Sequence, residues 1–289
     1  MKTSKGKVKE SEFLIAYGPP GIGKSSLGAD APSPYFLDAE GGSKNLDVER
    51  DEPESWDEVG QILERFSQSK NETLVVDTLD WLEKILIQDV LKTAGKNTLQ
   101  EIGGYGKGYE EVMRKWVMFL DKLDELHKAG KNIILLAHSE VKTMNDPTSL
   151  PYDRFQMKLY HKAASLFRER VSNLLFLNTE TLTKQGEKRG FSDNVRYVFT
   201  ERRPAYDAKN RFGLPERFEL KQIGAFKHYL SLKNDSNPQD IVTLKRQIEG
   251  LLAQVKDDKE RADIESAYKK KTTVDELNSL KNKLEVYLG

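Results

Sequence analysis

Gly18-Pro19-Pro20-Gly21-Ile22-Gly23-Lys24-Ser25 decides how this chain folds. The apolar run Phe13-Leu14-Ile15-Ala16-Tyr17 precedes it and Ser26-Leu27-Gly28-Ala29 follows, which predicts a strand, a tight loop and the start of a helix. That context is what the P-loop pattern G-x-x-x-x-G-K-S/T requires. Its glycines admit backbone angles closed to residues with a Cβ, so successive N–H groups converge on phosphate oxygens, and the helix start adds free amides and its dipole. The loop running through Gly18, Pro19, Pro20, Gly21, Ile22, Gly23, Lys24, Ser25 and Ser26 is therefore the expected cradle for ATP. Lys24 is placed to reach the β- and γ-phosphates, and the Ser25 hydroxyl to ligand Mg²⁺. Glycine-rich turns occur in many strand–helix units; strand, spacing, lysine and serine together specify phosphate.

Composition narrows the rest. Hydrophobic residues make up 37% and charged residues 32% of 289 positions, with a mean hydropathy of −0.65, which suits a soluble chain with a moderate core. Lys plus Arg and Asp plus Glu are both 46, so a globally basic nucleic-acid binder is excluded and any such contact must come from local clusters. There is no cysteine, which excludes disulfides and thiolate–metal sites, and the four histidines lack ligand spacing. No apolar run approaches the roughly 18 residues needed to span a bilayer. Met1 to Lys9 is basic but leads into a strand-length run rather than a leader sequence. A cytoplasmic protein without a membrane partner is expected.

Along the chain, Tyr35-Phe36-Leu37 and Thr73-Leu74-Val75-Val76-Asp77 read as buried strands, each ending in carboxylates: Asp38 and Glu40 after the first, Asp77 on the second. Helical spacing covers Ser55 to Ser67, the run from Trp81 to Val90, and Tyr109 to Lys128. Between the last two lies a glycine-rich stretch from Gly95 to Gly108 without periodicity. Asn132 to Ala137 is another buried strand and ends at His138. A long polar loop is expected from Glu140 to about Phe155, a helix over Met157 to Val171, and strands at Leu174 to Leu177 and Val195 to Thr200. Glu201 to Pro215 reads as a basic, aromatic-bearing turn projecting from the sheet. Asn234 to Pro238 resembles a linker, followed by three charged amphipathic helices at Ile241–Val255, Asp258–Tyr268 and Val274–Leu288; a small helical bundle is the plain reading, a DNA-binding module the other. The expected fold is α/β, a P-loop NTPase with a mainly parallel sheet flanked by helices over residues 1–233 and a helical appendage over 234–289.

At the strand ends, Asp77 is the natural Mg²⁺ ligand through water. Glu40 is either a general base for the attacking water or a solvated loop acid. His138 is either a sensor of the γ-phosphate or a structural histidine.

The combination Phe36-Leu37-Asp38-Ala39-Glu40 after a P-loop, then Val75-Val76-Asp77-Thr78, resembles the RecA-type recombinase core. Gly103-Gly104-Tyr105-Gly106-Lys107-Gly108-Tyr109, Leu136-Ala137-His138-Ser139-Glu140-Val141-Lys142 and Arg203-Pro204-Ala205-Tyr206-Asp207-Ala208-Lys209-Asn210-Arg211 are similar to the Sak-type single-strand annealing ATPases of bacteriophages. This resemblance spans roughly Glu12 to Lys227. It implies that Glu40 is the catalytic base, and that His138 stands where the RecA-like core usually has a glutamine that touches the γ-phosphate and opens a DNA-binding loop. Histidine there is a departure, and it brings the possibility of pH dependence.

The loop Ser139–Gln156 and its glycine-rich neighbour would then grip single-stranded DNA. Lys107, Lys142 and Arg154 would meet phosphates, while Tyr105, Tyr109, Tyr152 and Phe155 would offer surfaces on which bases stack. Ordinary loops with core-anchoring aromatics are the alternative. RecA-like ATPases also place nucleotide between protomers, so a homo-oligomer is implied. Arg202, Arg203, Lys209 and Arg211 are candidates to complete a neighbour's site, to bind DNA, or to form plain ion pairs. The expected function is ATP-dependent annealing or pairing of DNA strands, with hydrolysis stimulated by single-stranded DNA and a single-stranded DNA-binding protein as a possible partner. An ATP-switched loader or scaffold for replication or repair is the competing reading. A small-molecule kinase is disfavoured because no arginine-dense lid segment is present.

Overall fold

A computed structural model describes residues 11–145, 147–148, 150–183, 190–235, 238–255, 261–262, 264–265, 268 and 274–288. The P-loop strand β1 (Phe13–Gly18) is flanked on one side by β5 (Asn132–Met144) and on the other by β7 (Asn173–Thr183), both parallel to it. Beyond β5 come β4 (Thr73–Asp77), β2 (Pro34–Asp38) and β3 (Glu49–Asp51), again parallel. The order β7-β1-β5-β4-β2 inserts one strand between the P-loop strand and the strand ending in Asp77. This is the strand order of a RecA-like core, and it holds five of the strands expected from the sequence; the sixth, expected over Val195 to Thr200, falls in β8 (Gly190–Phe199). Antiparallel β8 (Gly190–Phe199) and β10 (Arg217–Glu219) extend the β7 edge, and the two-residue β9 (Lys209–Asn210) pairs with the start of β7.

The pleat sorts the core into two layers, because successive side chains leave a strand on opposite faces. Phe13, Ile15 and Tyr17 face the layer formed with α2 (Trp56–Gln68), α3 (Leu79–Ala94), α4 (Lys107–Lys128) and α5 (His161–Arg170). Leu14 and Ala16 face the other layer, with α1 (Lys24–Ala29) and α6 (Ala225–Asp235). Helix α2 begins where Ser55 accepts the Glu58 N–H, with Asp57 and Glu58 in its first turn, an N-terminus of the kind that side-chain capping favours. Helices α7 (Pro238–Leu252) and α8 (Val274–Leu288) bury Leu244, Ile248, Leu252, Leu277, Leu280 and Leu284 in a cluster that shares no residue with the other two. The helix expected over Asp258–Tyr268 falls largely outside the described residues. Among the described residues no helix is long and apolar enough to cross a membrane.

Three expectations are corrected. The segment expected as a loop from Glu140 to Phe155 is a β-hairpin: β5 continues past His138, and Ser139–Met144 pairs antiparallel with β6 (Tyr152–Met157). Pro147 and Pro151, which read as loop signals, lie in the turn and just before β6, where a missing N–H costs no ladder bond. The next helix starts at His161 rather than Met157, because Met157 still belongs to β6 and the Lys158 N–H donates to the His138 carbonyl. The 201–215 turn does not project. Tyr206 stacks on Phe176 at 4.9 Å, Asp207 is buried against Tyr17, and β9 ties the segment to β7.

Candidate nucleotide site

The C-terminal tips of β1, β2, β4 and β5 come together because the strands are in register, Gly18 beside His138 and Asp38 beside Asp77. Ligands bind at this end of open α/β sheets. One cleft there is lined by Pro20, Gly21, Gly23, Lys24, Ser25, Ser26, Glu40, Asp77 and His138. The metal and catalytic residues nominated from the sequence thus converge from four separate segments with most of the loop, while Ile22 is buried in the apolar layer below it.

Gly21 (φ 75°) and Gly23 (φ 111°) adopt left-handed backbone that a side chain disfavours. Gly18 is constrained differently: a Cβ there would stand 2.2 Å from the Leu177 carbonyl oxygen of β7. Lys24 is buried, and its ammonium donates to the Gly18 and Pro19 carbonyls at 3.1 and 3.0 Å. Burial lowers its pKa, against the opposing pull of Asp77, Glu40 and Asp80. Ser25 Oγ donates to Asp77 Oδ2 at 2.6 Å. A hydroxyl and a carboxylate held together are hard oxygen donors of the kind Mg²⁺ prefers. Among the described residues no group of three His, Cys, Asp or Glu forms a metal cage. Mg²⁺ takes most of its ligands from phosphate and water, so two protein oxygens are enough to hold it. The Asp77 carboxyl is pushed up to about 6, first by burial and then by the neighbouring Asp38 and Glu40, although Ser25 and Lys24 oppose the rise.

Asp38 organises the loop that carries Glu40. Its carboxylate accepts the N–H groups of Gly41, Gly42 and Ser43 and the Ser43 hydroxyl, and the Glu40 N–H donates to the Asp77 carbonyl at 3.2 Å. Glu40 therefore projects into the cleft from a pinned backbone, with Thr78 Oγ1 3.5 Å from its Oε2.

His138 is held by Asp80, a residue sequence reasoning missed. Asp80 accepts the His138 N–H at 2.9 Å and lies 3.0 Å from Nδ1. Burial alone would raise the Asp80 pKa, but the hydrogen bonds from His138 and Thr78 outweigh it and hold the carboxyl below its ordinary value. A carboxylate only accepts, so the proton stays on Nδ1 and Nε2 faces Glu40, 3.8 Å away. Position in the first turn of a helix that follows Asp77 was the only sequence signal for Asp80. Arg196 of β8 also lines the cleft and was likewise missed, although it falls on the same strand face as the buried Val198.

Tyr105, Lys107, Lys142 and Arg154 do not line this cleft. Tyr105 is fully exposed at the glycine-rich turn, and Lys107 is exposed at the first residue of α4. Lys142 lies on the hairpin paired with Glu140 at 2.7 Å. Arg154 is not available to DNA: it is buried, and its guanidinium binds the Tyr206 carbonyl and Asp207. Phe155 packs on Phe176 rather than offering a free face, and Tyr109 packs on Tyr160. Among the cations of the basic turn, Lys209 donates to the carbonyls of Arg168, Glu169 and Val171 at the end of α5, and Arg203 pairs with Glu216. Arg202 and Arg211 are exposed.

Residues 12–212 match the family model described as an AAA domain. The chain belongs to that family. Membership, the P-loop and the strand order make it a RecA-like P-loop ATPase. No curated protein sequence matches. Similar solved structures include the flagellar accessory protein FlaH from Methanocaldococcus jannaschii, 12% identical with a TM-score of 0.33, over 67% of this chain and 79% of that one. Another is the KaiC-like protein PH0186 from Pyrococcus horikoshii OT3, 14% identical with a TM-score of 0.38, over 66% and 79%.

Proposed function

We propose that this ATPase acts in DNA recombination, binding single-stranded DNA and promoting the annealing or pairing of homologous strands. The observation that carries the reading is the continuity of β5. The strand that brings His138 to the cleft runs on without a break into the hairpin, and the Lys158 N–H at the far end of that hairpin bonds back to the His138 carbonyl. A shift of His138 toward a γ-phosphate therefore moves the hairpin with it. The resemblance to Sak-type annealing ATPases supports the choice of polymer.

In this reading Lys24 and the loop amides hold the phosphates, and Ser25 with Asp77 holds Mg²⁺, which when bound neutralises phosphate charge. Glu40 orients the attacking water and accepts its proton. A positioned base of this kind contributes about 10²–10⁴-fold. Tyr105, held at φ 61° with its ring in solvent, is the strongest base-stacking candidate, since an aromatic in strained backbone outside the core needs another reason to be there. Lys107 and Lys142 are the remaining phosphate contacts. Assembly into a homo-oligomer, with Arg202 or Arg211 reaching a neighbour's site, belongs to the same proposal.

Steady-state hydrolysis measured with and without a single-stranded oligonucleotide tests it. The expected result is stimulation by DNA, with Glu40→Gln losing turnover while still binding ATP. A rate indifferent to DNA would refute the assignment. The second reading, an ATP-switched loader or scaffold for a replication or repair partner, draws on one feature: Lys142 is already paired with Glu140 and Asp153 accepts from Thr143, a surface that also suits a protein. In that case DNA affinity would not respond to ATP.

A further inference from the structure

Strand β8 runs antiparallel to β7, so tracing it backwards from Val198 leads past the tips of the parallel strands. Val198 pairs with Leu177, and Arg196 with Thr179. Val198 is buried in the layer containing Leu27 of α1 and Leu220. Side chains two positions apart share a strand face, so Arg196 continues that face beyond the apolar layer and over the phosphate loop. A Cβ placed on Gly23 would stand 3.4 Å from Arg196 Nη1. The residue lines the cleft together with Lys24, Ser25, Glu40, Asp77 and His138.

Its electrostatic state sets it apart from its neighbours. Arg217 pairs with Glu180 and covers the Tyr197 ring, and Arg203 pairs with Glu216. Among the described residues the Arg196 guanidinium has no hydrogen-bond or ion-pair partner. An uncommitted guanidinium beside a phosphate loop has the planar donor fork that matches phosphate oxygens.

We propose that Arg196 is a nucleotide-binding residue acting in cis, its guanidinium donating to a phosphate oxygen of the triphosphate held by the P-loop of the same chain. The inference rests on the nucleotide reading of the site. It supplies a second cation besides Lys24 from within the chain, independent of the 202–211 turn.

The test is equilibrium binding of fluorescent ATP, GTP and ADP analogues to the full chain, comparing wild type with Arg196→Ala, Arg196→Gln, Arg196→Lys and Lys24→Ala. Arg196 is exposed, so matching thermal melts will confirm that the variants are folded. Loss of one charge-assisted contact weakens ATP binding about tenfold in Arg196→Ala and Arg196→Gln. The same loss is expected for GTP, with partial recovery in Arg196→Lys. Unchanged affinity in Arg196→Ala alongside loss in Lys24→Ala overturns the proposal and leaves the nucleotide site standing. A loss confined to ATP over GTP also overturns it, by showing a base contact. Unchanged affinity in Lys24→Ala overturns the nucleotide reading itself.

Discussion

Asp77 sits where stability and catalysis pull in opposite directions. It is buried beside two other carboxylates, and its pKa is raised to about 6 from an ordinary 3.8. The folded chain therefore binds more protons than the unfolded chain between about pH 4 and 6, and stability falls as pH rises through that window. The cost, on the order of 2–3 kcal/mol, is fully felt above it. Asp77→Asn removes the charge and keeps an acceptor for Ser25. Without nucleotide or metal it should raise the melting temperature by roughly 4–8 °C at pH 7.5 and by almost nothing at pH 4, while hydrolysis of Mg·ATP is lost. An equal effect at both pH values would show that the carboxylate is not strained. Residues at this scale were legible where a motif fixes them: the P-loop and Asp77 follow from spacing and a strand end, whereas strand-end position left Glu40 open and only the RecA-type resemblance named it a base. Asp80 and Arg196 were not: Asp80 holds His138 across the fold, and Arg196 comes beside Gly23 only because β8 folds back along β7.

Helix α1 lies against the sheet at Gly28, where a Cβ would meet Val75 Cγ1 at 2.7 Å and Cγ2 at 3.3 Å. Val75 is fully buried on β4 and stiff at χ1. Gly28→Ala should destabilise the chain by about 1–3 kcal/mol, although alanine is the better helix former. Adding Val75→Ala should recover part of that loss in a urea-denaturation cycle, and strictly additive losses would refute the packing argument. The hairpin makes a parallel case. Arg154 ties β6 to the 206–207 segment and shares Asp207 with Arg168, so Arg154→Ala should cost about 3 kcal/mol of stability. Lys107→Ala with Lys142→Ala should leave the melt unchanged, weaken single-stranded DNA binding and flatten its salt dependence by roughly 0.7 per lost phosphate contact. The reverse pattern would place Arg154 on the DNA. Elements with a buried face were readable from periodicity. The hairpin and α6 were not: polar residues on both hairpin strands hide a period of two, and α6 packs a short apolar set, Phe226, Tyr229 and Leu232, that ends at the apparent linker.

At the scale of the whole molecule, the sheet and the α7–α8 pair have separate apolar clusters. A chain ending at residue 235 should keep nucleotide binding and the melting transition of the sheet; loss of either would show that the tail completes the core. What unites the rest is mechanical. The P-loop at the tip of β1 sits beside His138 on β5, and β5 is one arm of the hairpin. The most direct measurement is fluorescence anisotropy of a labelled single-stranded oligonucleotide with the Glu40→Gln protein, which should hold ATP without cleaving it. Affinity should tighten about tenfold or more when ATP and Mg²⁺ are added, a coupling of ordinary size for linked sites. The same dissociation constant with and without ATP would contradict the account.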